Sequence, residues 1–177
     1  MNNTVNVLFG PPSRVEDVDS MLETFFSKRG AHIVCGGTTA QLAASFLGRP
    51  LSVGLRYDET GLPPIGHIDG VELVTEGVVT MDAVLGIAKD LCTCGGSSSG
   101  GCIRRRVEDA LKGRCDGAAE VARYLLVQAD EIDLFVGCAQ NPADTSAGLV
   151  SGRRAAIARE LSQCLSKMGK MVFERYF

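Results

Sequence analysis

Short apolar runs alternate with amphipathic stretches along most of the 177 residues. Val5-Asn6-Val7-Leu8-Phe9 predicts a strand that Gly10-Pro11-Pro12 must end, because proline cannot donate to a strand ladder. Ser13 followed by Glu16 reads as a capping box. Val15, Val18, Met21, Leu22, Phe25 and Phe26 then recur at helical spacing to about Arg29, and Gly30 stops the helix. Ala31–Cys35 predicts a second strand, and Gly36-Gly37-Thr38-Thr39 leads into a helix from Ala40 to Leu47, closed by Gly48. Leu51, Val53 and Leu55 alternate within a third strand expected over Pro50–Tyr57, followed by a loop to Gly66. A strand over Val71–Val74 ends at Thr75-Glu76-Gly77. Thr80 is placed to cap the helix carrying Val84, Leu85, Ile87 and Leu91, and Asp116 to cap one running through Val121, Tyr124 and Leu125. Ile132–Val136 predicts a central strand, Arg153–Met168 a long helix and Met171–Phe177 a terminal strand.

Strands alternating with helices define an α/β fold of three layers, a mostly parallel sheet flanked by helices in a Rossmann-like arrangement. Neither a repeat nor a linker divides the sequence. Residues 1–177 therefore read as a single domain, with a mobile Cys/Gly/Ser-rich insertion near 92–115.

Eighteen basic against 21 acidic residues leave a net charge of −3, which argues against nonspecific nucleic-acid binding. No apolar run approaches the roughly 20 residues that span a bilayer. Met1-Asn2-Asn3-Thr4 lacks the basic and apolar regions of a secretory signal, so a cytoplasmic location is expected. Seven cysteines, an odd number, then fit reduced thiols better than a disulfide framework. Cys35, Cys138 and Cys164 sit in apolar surroundings and read as small hydrophobes. Cys92, Cys94, Cys102 and Cys115 lack the paired Cys-x-x-Cys spacing of a structural zinc site; a plain loop is the simpler reading, and metal binding is left open. His32 and His67 stand alone in the sequence.

Four candidate sites fall where strands end. Gly36-Gly37-Thr38-Thr39 would offer free amides and hydroxyls at a helix N-terminus, which suits an anion. The competing reading is a Thr38–Gln41 capping box needing no ligand. Thr75-Glu76-Gly77 would place a carboxylate to meet a hydroxyl, an amine or a metal, against the alternative of an ordinary acid near a helix start. Cys138 to Asn141 is the third, or else a turn opened by Asn141-Pro142; Gly10 with its prolines is the fourth. In open parallel sheets ligands bind at that edge, where strand order reverses. Arg153-Arg154 would lie in the first turn of its helix if Ser151 capped it, opposing the dipole and inviting an anion; a helix beginning near Thr145 removes the conflict. Arg104-Arg105-Arg106 reads as a solvated face. No Gly-x-Ser-x-Gly elbow or other nucleophile–base pair is visible.

Leu8-Phe9-Gly10-Pro11-Pro12, Cys35-Gly36-Gly37-Thr38-Thr39-Ala40, Pro63-Pro64-Ile65-Gly66, Asp69 to Val78 with Leu73-Val74-Thr75-Glu76-Gly77, and the closing Lys170–Phe173 with Tyr176-Phe177 together resemble a known segment. It is the C-terminal, non-catalytic region of bacterial serine phosphatases of the stage II sporulation protein E type. The resemblance covers most of the chain and does not extend to the phosphatase domain. Such phosphatases hold two Mn²⁺ or Mg²⁺ ions through aspartates in Asp-Gly and Gly-Asp contexts. Asp69-Gly70 and Asp116-Gly117 are present here, but no Gly-Asp dipeptide occurs, so phosphatase activity does not carry over.

The expected function is a regulatory or sensory module that binds a small anionic or nucleotide-like ligand. Gly10, Gly36, Gly37, Thr38, Thr39, Thr75, Glu76, Gly77, Cys138 and Asn141 are its candidate ligand-binding residues. One alternative is a phosphoester hydrolase or phosphotransfer enzyme with Glu76 or an aspartate holding Mg²⁺. Another is a docking module for a phosphatase or redox complex that takes no ligand. Homo-oligomerisation is compatible with all three.

Overall fold

Five of the six residues of β1 (Thr4–Phe9) are buried, which is why its sequence is an almost unbroken apolar run rather than an alternation. Val5, Val7 and Phe9 join one hydrophobic layer and Leu8 the opposite one. Asn6 is the exception: its Nδ2 donates to the carbonyls of Arg29 (3.0 Å) and Ala31 (3.2 Å), pinning the entry to β2 (Ala31–Cys35). The computed structural model of the chain describes residues 3–53, 65–93, 100–139 and 149–177.

Among the described residues the sheet has seven strands. β3 (Ser52–Val53), β4 (Gly66–His67), β5 (Leu73–Thr75), β2, β1, β6 (Glu131–Val136) and β7 (Met171–Tyr176) lie in that order. β5, β2, β1, β6 and β7 are parallel, and the two short strands β3 and β4 add an antiparallel edge. α1 (Val18–Ser27) and α2 (Gly37–Leu47) cover one face through Met21, Leu22, Phe25, Ala40 and Ala43. The other face carries α3 (Val78–Thr93), α5 (Gly117–Ala122), α6 (Leu149–Lys167) and the end of α4 (Gly100–Ala110), with Met81, Val107, Val121 and Leu161 in its core. This is a single α/β domain of three layers with a mostly parallel sheet. The chain passes from β1 outward through β2 to β5, then crosses back to β6 and β7. Strand order thus reverses at β1, and its carboxyl end is where such sheets open a crevice.

Several boundaries differ from the sequence reading. Ser13 is not a cap: its amide bonds the Phe177 carbonyl (3.1 Å), and a 3₁₀ turn, Val15–Asp17, precedes α1. α2 begins at Gly37 rather than Ala40. Thr80 lies inside α3, whose first turn is capped from Glu76. Of the expected third strand only Ser52–Val53 pairs, and 54–64 lies outside the described residues. Part of the stretch expected to be a mobile insertion is helix α4, followed by Leu111; Val107 and Leu111 are fully in the core, so that stretch is packed there. Asp116 does cap α5, accepting the Ala119 amide at 3.0 Å. α5 then continues through a wider turn over Arg123–Gln128, closed by an i→i+5 bond from Ala129 N to Tyr124 O (2.8 Å). Among the described residues no helix is long and apolar enough to cross a membrane.

Candidate functional site

Gly36 ends β2 with φ +121°, a conformation side chains avoid, and so turns the chain directly into α2. Its carbonyl accepts the first helical bond, from Ala40 N (2.8 Å), while no side chain caps the helix. The Thr38–Gln41 capping box is therefore not formed, and the first-turn amides of α2 are left to a solvent or ligand partner. Beside it, Gly36 N donates to Thr75 O (2.9 Å), and a Cβ on Gly77 would come within 3.3 Å of Gly36 Cα. The double-glycine bend and the Thr-Glu-Gly bend thus lie back to back, in an approach that a side chain at position 77 would crowd.

The two bends form one side of a cavity of about 320 Å³ at the carboxyl edge of the sheet. Gly10, Gly36, Gly37, Thr38, Thr39, Glu76 and Gly77 all line it. Thr75 does not: its hydroxyl turns to Glu76 O (2.9 Å) and to the Cys35 thiol (3.4 Å). Cys138 does not either, since its amide is used on Phe177 O (2.8 Å); its neighbour Ala139 reaches the cavity instead. Asn141 lies outside the described residues. Pro11, Ala139 and Arg154 also line the cavity; near the first two in sequence, the amides of Ser13 and Cys138 both donate to the carbonyl of Phe177, whose ring stacks on Phe135 at 6.0 Å.

Glu76 has a structural task as well. Its Oε2 accepts the amides of Val79 (3.1 Å) and Thr80 (3.3 Å), capping α3. Its Oε1 has no hydrogen-bond partner among the described residues.

The residue that changes the character of the cavity is Arg154. It reaches in from α6 with only 6% of its surface exposed. Nη2 donates to the Ala139 carbonyl, Nε is buried without a partner, and among the described residues no carboxylate pairs with it. Burial pushes the guanidinium below its ordinary range, the direction expected of a cation with no counter-ion. Gly10, at φ +89°, is what makes room: a Cβ there would run into Arg154 Nη1 and Cδ. Phe9 and Cys35 are register partners, so Gly10 under the guanidinium and Gly36 before the α2 amides stand at neighbouring strand ends. The Thr39 hydroxyl, 1% exposed, is a second buried polar group without a partner in this wall.

The sequence reading pointed to the Arg153-Arg154 pair for a different reason. α6 already begins at Leu149, so Ser151 is no cap and neither arginine opposes a first-turn dipole. The stronger signal was periodicity: Arg154 precedes Ile157, Ala158, Leu161 and Leu165 on the buried stripe of α6. Arg153 points the other way and pairs with Asp82 at 3.0 Å.

Cys35 sits at the floor of the cavity as a buried thiol, donating weakly to Met81 Sδ at 3.7 Å. Burial, against the Thr75 hydrogen bond and with the Glu76 charge adding, pushes its pKa from 9.0 up to about 12. Iodoacetamide at pH 8 is expected to label exposed Cys115 and spare Cys35 in the folded protein, which mass spectrometry of the labelled peptides reads directly. Because the folded state holds this proton more tightly, its contribution to stability is complete below about pH 9 and is lost as pH rises toward 12. Among the described residues no group of three His, Cys, Asp or Glu side chains comes together to hold a metal ion.

Fold and site together define an α/β domain with a crevice at its strand-order reversal that brings Arg154 and Glu76 together. No family model, curated protein or solved structure matches the chain.

Proposed function

We propose that the domain is a regulatory or sensory module whose cavity binds the anionic end of a small molecule. The observation that carries this reading is Arg154, a buried cation with no carboxylate partner among the described residues, set beside the uncapped N-terminus of α2. Burying an ionised group without compensation costs several kcal/mol, and such groups are normally paired. An anion bridging the guanidinium and the α2 amides supplies the missing charge and satisfies both sets of donors. The resemblance to the C-terminal region of sporulation-type serine phosphatases favours a regulatory role over catalysis. So does Glu76, half of whose carboxylate is already committed to capping α3.

Isothermal titration with inorganic phosphate in metal-free buffer is the test. One saturable site per chain is expected, weakened by added sulfate, which offers the same tetrahedral oxygens. Heats no larger than dilution at millimolar phosphate would remove the reading.

A further inference from the structure

Glu76 is out of place in a cavity made for an anion. A carboxylate beside the α2 N-terminus repels the ligand that Arg154 and the amides attract, unless the ligand brings something for it to accept. Its side chain is fixed in that position, because Oε2 is held by two α3 amides at 3.1 and 3.3 Å. Glu76 lines the cavity beside Gly77, and its Oε1 is left without a hydrogen-bond partner among the described residues. The volume, about 320 Å³, exceeds what a bare phosphate or carboxylate fills.

Resting on the anion-binding reading above, we infer that the ligand is a phosphate monoester bearing a hydroxyl, of the sugar-phosphate class. Arg154 and the amides of Gly37 and Thr38 take the phosphate, and Glu76 Oε1 accepts from the hydroxyl. A hydroxyl fits better than an ammonium group on donor arithmetic. An ammonium carries three N–H donors and a full charge to be met, while a hydroxyl needs one acceptor. Glu76 is the one carboxylate among the described residues that line this cavity, and one of its two oxygens is already taken by the α3 amides. Selection follows from the same pairing: an ester without a hydroxyl leaves Glu76 Oε1 desolvated with no donor, which is the stronger penalty.

The experiment compares ribose 5-phosphate, methyl phosphate and phosphoethanolamine by isothermal titration on the intact chain and on Glu76→Gln. A hydrogen bond to a charged acceptor is worth roughly tenfold or more in affinity. Ribose 5-phosphate is therefore expected to bind at least about tenfold tighter than methyl phosphate to the native chain. In Glu76→Gln, where the amide oxygen can still cap α3, that preference should fall to about one, with methyl phosphate binding as well as before or better. Equal affinities for the two esters in the native chain, or tightest binding of phosphoethanolamine, would overturn the hydroxyl assignment and leave the anion site standing. An unchanged preference in Glu76→Gln would overturn the role of Glu76. Failure of all three phosphates to bind would overturn the anion reading itself, and this inference with it. The native-chain comparison needs no variant to fold.

Discussion

Arg154→Met is expected to abolish phosphate binding while costing the empty protein no more than about 1 kcal/mol of stability. Removing charge-assisted hydrogen bonds to an anion, in a pocket where they are largely desolvated, weakens binding by about a hundredfold or more. The same substitution takes away a buried cation that no carboxylate among the described residues meets and substitutes an apolar side chain of similar length. Replacing buried charge by a well-packed hydrophobe is often neutral or stabilising by about 1–4 kcal/mol. Loss of the donor to Ala139 O offsets part of that gain, by about 1 kcal/mol. Urea denaturation without phosphate should therefore place the variant within about 1 kcal/mol of the native chain, or above it. A residue serving the fold would behave in the opposite way. A loss of more than about 3 kcal/mol on Arg154→Met would identify the guanidinium as an internal pin rather than a ligand group.

Gly137→Ala is expected to be the most damaging single methyl in the protein's cavity region. Gly137 leaves β6 beside the Gly10-Pro11 turn, and its amide donates to Phe9 O at 2.9 Å. A Cβ there would overlap the Pro11 and Gly10 carbonyl oxygens, which are backbone atoms and cannot swing aside. The two walls would have to separate, taking with them the Ala139 N to Pro11 O bond (3.1 Å) and the Phe177 anchor. A loss of about 3 kcal/mol or more is expected in urea denaturation, with phosphate binding impaired in whatever remains folded. Gly37→Ala is the matched control. Nothing stands within 4 Å of a Cβ at that position, it opens α2 in an ordinary conformation, and alanine is the better helix former. No loss of stability is expected there, and equal effects at 137 and 37 would show that the cavity walls are not as closely locked as their hydrogen bonds imply.

The strands that build the site were legible because they are buried on both faces. Val5–Phe9, Ala31–Cys35 and Ile132–Val136 are apolar runs that no helix period explains, each followed at once by glycine. The meeting of the Gly36 and Gly77 bends was legible too, since β2 and β5 had to be parallel for the loops after them to share an edge. What the sequence concealed has physical reasons. Glycine and threonine are poor helix formers, so the start of α2 at Gly37 is set by the chain turn at Gly36 and by tertiary packing, not by propensity. Capping of α3 from Glu76 skips the threonine that composition favours, because a carboxylate reaching forward from the preceding strand end satisfies two amides. α4 is hidden because it opens at the end of a Gly/Ser-rich run that predicts a flexible loop, and its described surface is largely charged, with Val107 and then Leu111 a turn later as its buried contacts. Arg154 lies on an apolar stripe, where a cation looks like an error in the pattern. Such local conflicts with an otherwise consistent sequence are expected at functional positions.

Amide chemical shifts report on the α2 N-terminus itself. A ¹⁵N–¹H titration of the native chain with inorganic phosphate should move the Gly37 and Thr38 resonances and the Arg154 Nε–H together, saturating at one common affinity, while the amides of Asn6 and Asp133 at mid-strand stay still. Unchanged positions for those three signals at saturating phosphate, or shifts confined to surface arginines such as Arg104 and Arg105, would contradict an anion seated between Arg154 and α2.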